Sequence, residues 1–290
     1  MNRIDLNGVE LEYEEAGSGE PVVLLHGGLL CRENEPLVRE AALTDRYRVV
    51  NYHRRGFGGL KRPEGKATIA DQSADCIALM DALGVERAHL VGHSLGGAIA
   101  IQVALDAPER VQSLALMEPA LMSAIAKVES AGRPEAAASQ QQFIEGMQKV
   151  DAIFKSGDRR GALNAFLETR AGGAFRGVLD YLTQTGEFDQ AVADADTFLF
   201  VEMPAAFRWS FTPDDAKRID QPVLSILGAH SPERAQKVHD ILTEWVPQTE
   251  SLTLENAEHA LPLMDPPGIA AAIAGWLEKY PISETKGAGA

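Results

Sequence analysis

Val91-Gly92-His93-Ser94-Leu95-Gly96-Gly97 places a serine among glycines where the apolar run Ala88-His89-Leu90-Val91 gives way to a longer one, Ala98-Ile99-Ala100-Ile101-Gln102-Val103-Ala104-Leu105. The first run has the length of a buried strand and the second that of a buried helix, which predicts strand, turn and helix in that order. A turn this tight drives its central residue towards strained backbone angles, and only small neighbours let the two elements approach. The G-x-S-x-G spacing therefore predicts a nucleophile elbow, with Ser94 exposed at the strand end and the positive end of a helix behind it. Taken alone, the same residues also suit a Gly-rich turn that merely ends a strand, so the surroundings decide.

Upstream, the apolar run Val22-Val23-Leu24-Leu25 leads into His26-Gly27-Gly28. A buried strand ending in His-Gly-Gly offers free backbone N–H groups at its carboxyl end, where an oxyanion hole needs them. Further on, Arg55-Gly56-Phe57-Gly58 follows a strand from Tyr47 to Tyr52, and a late histidine, His259, sits in Asn256-Ala257-Glu258-His259-Ala260.

With these features the chain resembles the α/β-hydrolase family, and among its branches the soluble members with a helical cap, over nearly its whole length. The resemblance implies an α/β fold: a mostly parallel sheet of about eight strands with helices on both faces and a helical cap inserted after the sixth strand. The expected division is a core over 1–119 and 220–282, a cap over 120–219 and a disordered tail over 283–290. Family members often carry an aspartate two residues before the Arg-Gly pair, where this chain has His53. That residue usually supports the loop, so the chemistry is untouched.

The element pattern read directly from the residues agrees. Ile4-Asp5-Leu6 and Val9 to Tyr13 flank Asn7-Gly8, a strong two-residue hairpin signal. A helix from about Ile69 to Leu83 is announced by Thr68 and Asp71, a capping arrangement, and closed by Gly84. From Pro119 to about Ile219 the strand signals stop, with helices expected over Glu135 to Phe154, Asp158 to Arg170 and Gly177 to Leu182. Phe198, Phe200, Phe207, Trp209 and Phe211 follow as an aromatic-rich tail. Strands resume at Val223 to Leu227 and Ser251 to Leu254, before a last helix from about Pro267 to Lys279. Apolar strands separated by helices imply a parallel sheet covered on both faces.

A chain of 290 residues has room for one such domain with an insertion. Its net charge of −15 and pI near 4.9 argue against nucleic acid and against an anionic membrane surface. The N-terminus lacks a basic segment followed by an apolar core, and no apolar run approaches a membrane span, which places the protein in the cytoplasm. The expected partner is a small-molecule substrate, and a homodimer is the assembly open to it. Cys31 and Cys76 are too few and too isolated for a disulfide framework or a zinc site; they read as reduced thiols, Cys31 falling close enough to Gly28 to line a pocket entrance.

Ser94 needs a base, since a free alcohol is a poor nucleophile at neutral pH. His259 is the candidate, because it follows the last strand and precedes the last helix, on the carboxyl edge that carries Ser94. The backbone N–H groups of Gly28 and Leu95 are the expected oxyanion donors. His26, Gly27, His93, Phe200, Phe207 and Trp209 are the expected substrate-binding residues, with the aromatics forming an apolar roof.

The acid is the point of departure. Many relatives carry an aspartate three residues after a glycine that closes the strand matching Val223 to Leu227; here Gly228-Ala229-His230-Ser231 puts a serine in that slot. Some cap-bearing relatives supply the acid one strand earlier, which Met117-Glu118-Pro119 matches. Glu118 is the expected acid, with Glu233 or Glu202 behind it and a triad without its carboxylate as the remaining alternative. The implied reaction is two-step acyl transfer on a small or medium, largely apolar ester, thioester or lactone, by a carboxylesterase-like hydrolase with no metal, nucleotide or organic cofactor. A carbon–carbon bond hydrolase acting on a diketone and a slow or non-catalytic ligand receptor are the alternatives.

Overall fold

A computed structural model of the chain describes residues 1–64, 67–130, 134–171 and 175–282; the expected tail over 283–290 lies outside the described residues. Asn7 and Gly8 both take positive φ, 52° and 76°, the pair of angles a type I′ turn demands, and they join β1 (Asn2–Leu6) to β2 (Val9–Ala16) as an antiparallel hairpin. There follow β3 (Glu20–Leu25), α1 (Ala41–Thr44), β4 (Tyr47–His53), α2 (Ile69–Ala82), β5 (Ala88–His93), α3 (Leu95–Asp106) and β6 (Val111–Met117). The capping box of α2 is present, with Thr68 Oγ1 accepting from Asp71 N and the Asp71 carboxylate accepting from Thr68 N. Such a cap stabilises a helix by about 1 kcal/mol.

The helical insertion after β6 carries α4 (Met122–Ser130), α5 (Pro134–Lys155), α6 (Arg159–Ala171), α7 (Phe175–Thr185), α8 (Glu187–Ala193), α9 (Met203–Arg208) and α10 (Pro213–Ala216). Between α8 and α9 the chain winds as a wide π-helical segment, Thr197–Glu202, which no sequence signal announced. The chain then returns to the sheet as β7 (Val223–Gly228), α11 (Glu233–Trp245), β8 (Thr249–Leu254), α12 (Leu261–Met264) and α13 (Pro266–Leu277).

The eight strands lie in the order β1-β2-β4-β3-β5-β6-β7-β8, antiparallel at the β1–β2 and β2–β4 pairings and parallel elsewhere. The chain steps outward from β3 to β4 and then crosses back to lay β5 on the other side of β3. Loops leaving β3 and β5 thus diverge to opposite faces and open a crevice at the carboxyl ends of the strands, where ligands bind in open α/β sheets.

Apolar residues cover both faces. On one, α2, α3 and α11 pack against Val23, Leu25, Leu90 and Leu114; on the other, α13 buries Ile269, Ile273 and Leu277 at helical spacing against Val22, Leu24 and Val91. Each such side chain contributes roughly 1.5–3 kcal/mol on leaving water. A third cluster belongs to the insertion, whose Val150, Leu163 and Phe166 pack with Leu29, Leu30 and Phe57 from the loops after β3 and β4. Among the described residues, no helix is long and apolar enough to cross a membrane.

Candidate active site

Five loops leave the carboxyl edge of adjacent strands β3, β5, β6, β7 and β8 and meet at one cavity. The β5 loop is the elbow. Ser94 sits at φ 48°, ψ −113°, a conformation costly for any L-residue, at about 1–3 kcal/mol. The glycines make it possible: a Cβ on Gly96 would lie 2.1 Å from the Leu25 carbonyl oxygen, and one on Gly92 would lie 2.6 Å from that of Gly96. Neighbouring strands pin the turn, because Ser94 N donates to Met117 O at 2.9 Å and Ala120 N donates to Ser94 O at 2.8 Å.

Glu118 follows β6 directly and also has positive φ, 47°. That backbone turn aims its side chain along the sheet edge. Oε2 lies 2.6 Å from His259 Nδ1, Oε1 accepts from Gly228 N at 2.9 Å, and Ser231 Oγ donates to the same Oε1. Burial would raise the carboxyl pKa, but the His259, Ser231 and Gly228 donors outweigh it and hold it below the ordinary carboxylate value. Ser231 therefore does not leave the usual acid slot empty. Its hydroxyl and the Gly228 amide receive a carboxylate that reaches over from β6.

Ser94 and His259 both line a cavity of about 110 Å³, walled by Leu29, Leu30, Met122, Phe166, Phe198 and Met203. One water needs roughly 10–15 Å³ on this measure, so the cavity takes a small to medium ligand. Gly28 and Leu95 border it too, and neither backbone N–H has a hydrogen-bond partner among the described residues. A Cβ on Gly28 would approach Phe198 Cε2 to 2.8 Å, closing the space in front of that amide. Among the described residues, no cluster of His, Cys, Asp or Glu could hold a metal ion. The arrangement brings a hydroxyl, an imidazole hydrogen-bonded to a carboxylate, and two residues with unpaired backbone amides to one largely apolar space, the set of groups acyl transfer uses.

His93 and Glu33 form a second buried acid–imidazole pair. His93 Nδ1 lies 2.7 Å from Glu33 Oε1, and its Nε2 lies 2.7 Å from the backbone oxygen of His259. Both partners can only accept, so the ring carries a proton on each nitrogen. Burial works against that charge, but Glu33 prevails and raises the His93 pKa above its ordinary 6.5. The stability this pair contributes is complete below pH 6.5 and is lost as the pH climbs through the higher folded value. Thermal unfolding across pH checks this: the Tm gap between wild type and Glu33→Gln should be widest in mild acid and narrow on the alkaline side. A gap that widens with rising pH contradicts the charged pair.

Several residues expected to bind substrate lie elsewhere. Phe200 is 54% exposed and Phe207 45% exposed, both outside this cavity. Trp209 packs flat beside Phe211 and donates from Nε1 to Gln102 at 2.7 Å, a structural anchor under the insertion. His26 is wholly buried behind the Gly27 peptide, while Gly27 and His93 do border the cavity. Glu233 is paired with Lys237 at the surface, and Glu202 is buried against Arg54, so neither meets His259. Cys31 lies buried beside Asp194 rather than at an entrance, with its thiol pKa raised by burial; Cys76 is pushed up to about 12 for the same reason. Glu33, Arg54, Phe166 and Met203 carried no sequence signal. Phe198 was visible only as one member of the aromatic tail.

Comparison with known proteins adds an independent finding. The sequence profile of the family described as alpha/beta hydrolase fold matches residues 20–266. A 2-hydroxy-6-oxo-6-phenylhexa-2,4-dienoate hydrolase of Comamonas testosteroni is 36% identical over 129 residues, 40% of this chain and 42% of that protein. A putative carbamate hydrolase of Azorhizobium caulinodans is 38% identical over 109 residues, 37% of this chain and 40% of that protein. The chain thus spans less than half the length of these curated relatives. A thermophilic esterase from Thermogutta terrifontis superposes with a TM-score of 0.76 at 21% identity, over 97% of this chain and all of that one, a likeness of fold.

Proposed function

Because the chain belongs to the alpha/beta hydrolase family, we propose that it is a cofactor-independent, carboxylesterase-like serine hydrolase acting on small, uncharged, largely apolar esters or lactones. The observation that carries this reading is the 2.6 Å contact from Glu118 to His259 on the rim of the cavity that Ser94 enters. His259 takes the Ser94 proton as the oxygen attacks the carbonyl. Gly28 and Leu95 N–H hold the oxyanion, and the proton passes to the leaving group. Water, deprotonated by the same imidazole, then releases the acyl group and restores Ser94. Residues 120–219 act as the cap, setting the apolar wall through Met122, Phe166 and Phe198.

The restriction to uncharged substrates rests on the lining. No Lys or Arg is among the described residues that border the cavity, whereas Glu33 and Glu258 are. A substrate carboxylate would be desolvated there with no cation free to pair with it, since both His93 nitrogens are committed to Glu33 and to the His259 carbonyl. The Comamonas testosteroni relative is named for a dienoate, a carboxylate substrate, and the lining here, which holds two carboxylates and no Lys or Arg among the described residues, favours ester over such carbon–carbon bond chemistry. Two measurements test the proposal. A fluorophosphonate should label the wild type once and leave Ser94→Ala unlabelled, and p-nitrophenyl butyrate should exceed mono-p-nitrophenyl succinate in kcat/KM by roughly 10-fold or more. An unlabelled wild type removes the hydrolase reading, and a preference for the succinate removes the neutral-substrate reading.

A further inference from the structure

Arg54, the residue after β4, is 1% exposed, an unusual place for a guanidinium. Its Nη1 donates to Glu202 Oε1 and to Gln72 Oε1, and its Nη2 donates to the Gly27 backbone oxygen at 2.7 Å and reaches Glu202 Oε2 at 3.3 Å. His26 joins it. Arg54 N donates to His26 Nε2 at 3.1 Å, which leaves the imidazole proton on Nδ1, 2.7 Å from the same Gly27 oxygen. Burial, then the Arg54 and His53 charges, lower the His26 pKa well below its usual value, in keeping with a neutral ring in that tautomer.

The Gly27 oxygen belongs to the same peptide unit as the Gly28 N–H. A trans peptide is planar, with its C=O and N–H pointing in opposite directions. Pinning the oxygen from behind with a guanidinium and an imidazole therefore aims the N–H forward, into the cavity. Drawing charge onto that oxygen also makes the N–H a stronger donor, because hydrogen bonds through one amide reinforce each other. Glu33, accepting from Gly27 N, holds the preceding amide. Glu202 compensates the guanidinium and comes from the π-helical segment of the insertion, so the insertion is bolted to the rear of this peptide.

We propose that Arg54 is a positioning residue for oxyanion stabilisation, fixing and polarising the Gly27–Gly28 peptide from behind the cavity while Glu202 of the insertion holds the guanidinium in place. The proposal rests on the serine hydrolase reading and adds a residue that does not touch substrate. Its signature is a loss confined to states with a negative oxygen beside Gly28.

The test pairs Arg54→Met with Glu202→Gln, so that no carboxylate is left buried without its cation, and measures p-nitrophenyl butyrate turnover beside inhibition by phenylboronic acid. The boronate adds to the serine and puts a tetrahedral oxygen in the oxyanion position. The double variant should lose roughly 10- to 100-fold in kcat, less than the 10²–10³-fold expected for deleting an oxyanion donor outright, with KM within about twofold. The boronate Ki should rise by the same factor as kcat falls. If kcat and Ki both stay within twofold of wild type, or if kcat falls while Ki does not move, the role is wrong. Should the double variant fail to fold, Arg54→Lys decides: one ammonium cannot serve both Glu202 and Gly27 O as a fork does, so both quantities should shift in parallel by about 5- to 10-fold. Unchanged values there overturn the proposal as well. Failure of the hydrolase reading appears instead in the wild type, which would take neither fluorophosphonate nor boronate, and it removes both claims.

Discussion

Ser94→Ala should reduce kcat on p-nitrophenyl butyrate by about 10⁴- to 10⁶-fold, the range seen when a nucleophile that acts as a unit with its base is removed. The residual rate comes from the two amides and the cavity, which the substitution leaves in place. Stability should move little, since alanine meets the same penalty at φ 48° as serine does. Ser94→Gly tells the two effects apart. Glycine occupies that backbone region without strain, so this variant should be equally inactive yet unfold at a higher temperature than Ser94→Ala, by an amount corresponding to about 1 kcal/mol. Equal Tm values for the pair would show that the elbow stores no strain. Activity surviving in both would move the nucleophile elsewhere.

Glu118→Gln should cost about 10³- to 10⁴-fold in kcat, and the cause is a proton in the wrong place. The glutamine carbonyl can still accept from Gly228 N and Ser231 Oγ, as Glu118 Oε1 does. Its NH2 then faces His259 Nδ1, where the carboxylate oxygen accepted, and donates to it. The imidazole is left with its proton on Nε2 and cannot take one from Ser94. Glu118→Ala should be impaired to a similar degree by loss of orientation, while Glu233→Ala should match wild type, because Glu233 is a surface residue paired with Lys237. A Glu118→Gln enzyme within threefold of wild type would remove Glu118 from the acid role.

The elements that could be read from the sequence are those dictated by local sterics. Asn7-Gly8 could scarcely be anything but a type I′ turn, and the close approaches of the elbow at 92, 96 and 97 leave room for glycine alone, which is why those glycines announce it. The partner of His259 was harder, since Glu118 reaches that imidazole only because its backbone takes a positive φ, which nothing about glutamate announces. Among the aromatics, Phe198 and Phe200 lie two positions apart on a wide helical turn, so one faces the cavity and the other faces outward at 54% exposure; composition alone treats them alike. Glu33 and Arg54 went unnoticed because a charged residue in a loop is read as solvated by default. Their burial depends on partners 60 and 148 positions away in the chain, His93 and Glu202.

Glu118 stands immediately before the insertion, and Ala120, two residues later, donates its N–H to the carbonyl of Ser94. For protein engineering this fixes where a transplanted lid can be spliced. A graft cut at 118 or 119 would exchange the backbone turn that brings Glu118 to His259 together with the insertion. A seam placed after Leu121, leaving the donor helices to begin at 122, keeps Glu118 and the elbow brace with the recipient sheet. The returning seam is tied down as well, because Arg218 donates to Leu105 O, Gln221 donates to Pro108 O, and Phe211, Ala216 and Ile219 are buried in the core beside the sheet. Insertion libraries built on this scaffold are thus constrained at both ends, and the exit is best cut ahead of Phe211, where the chain enters the core.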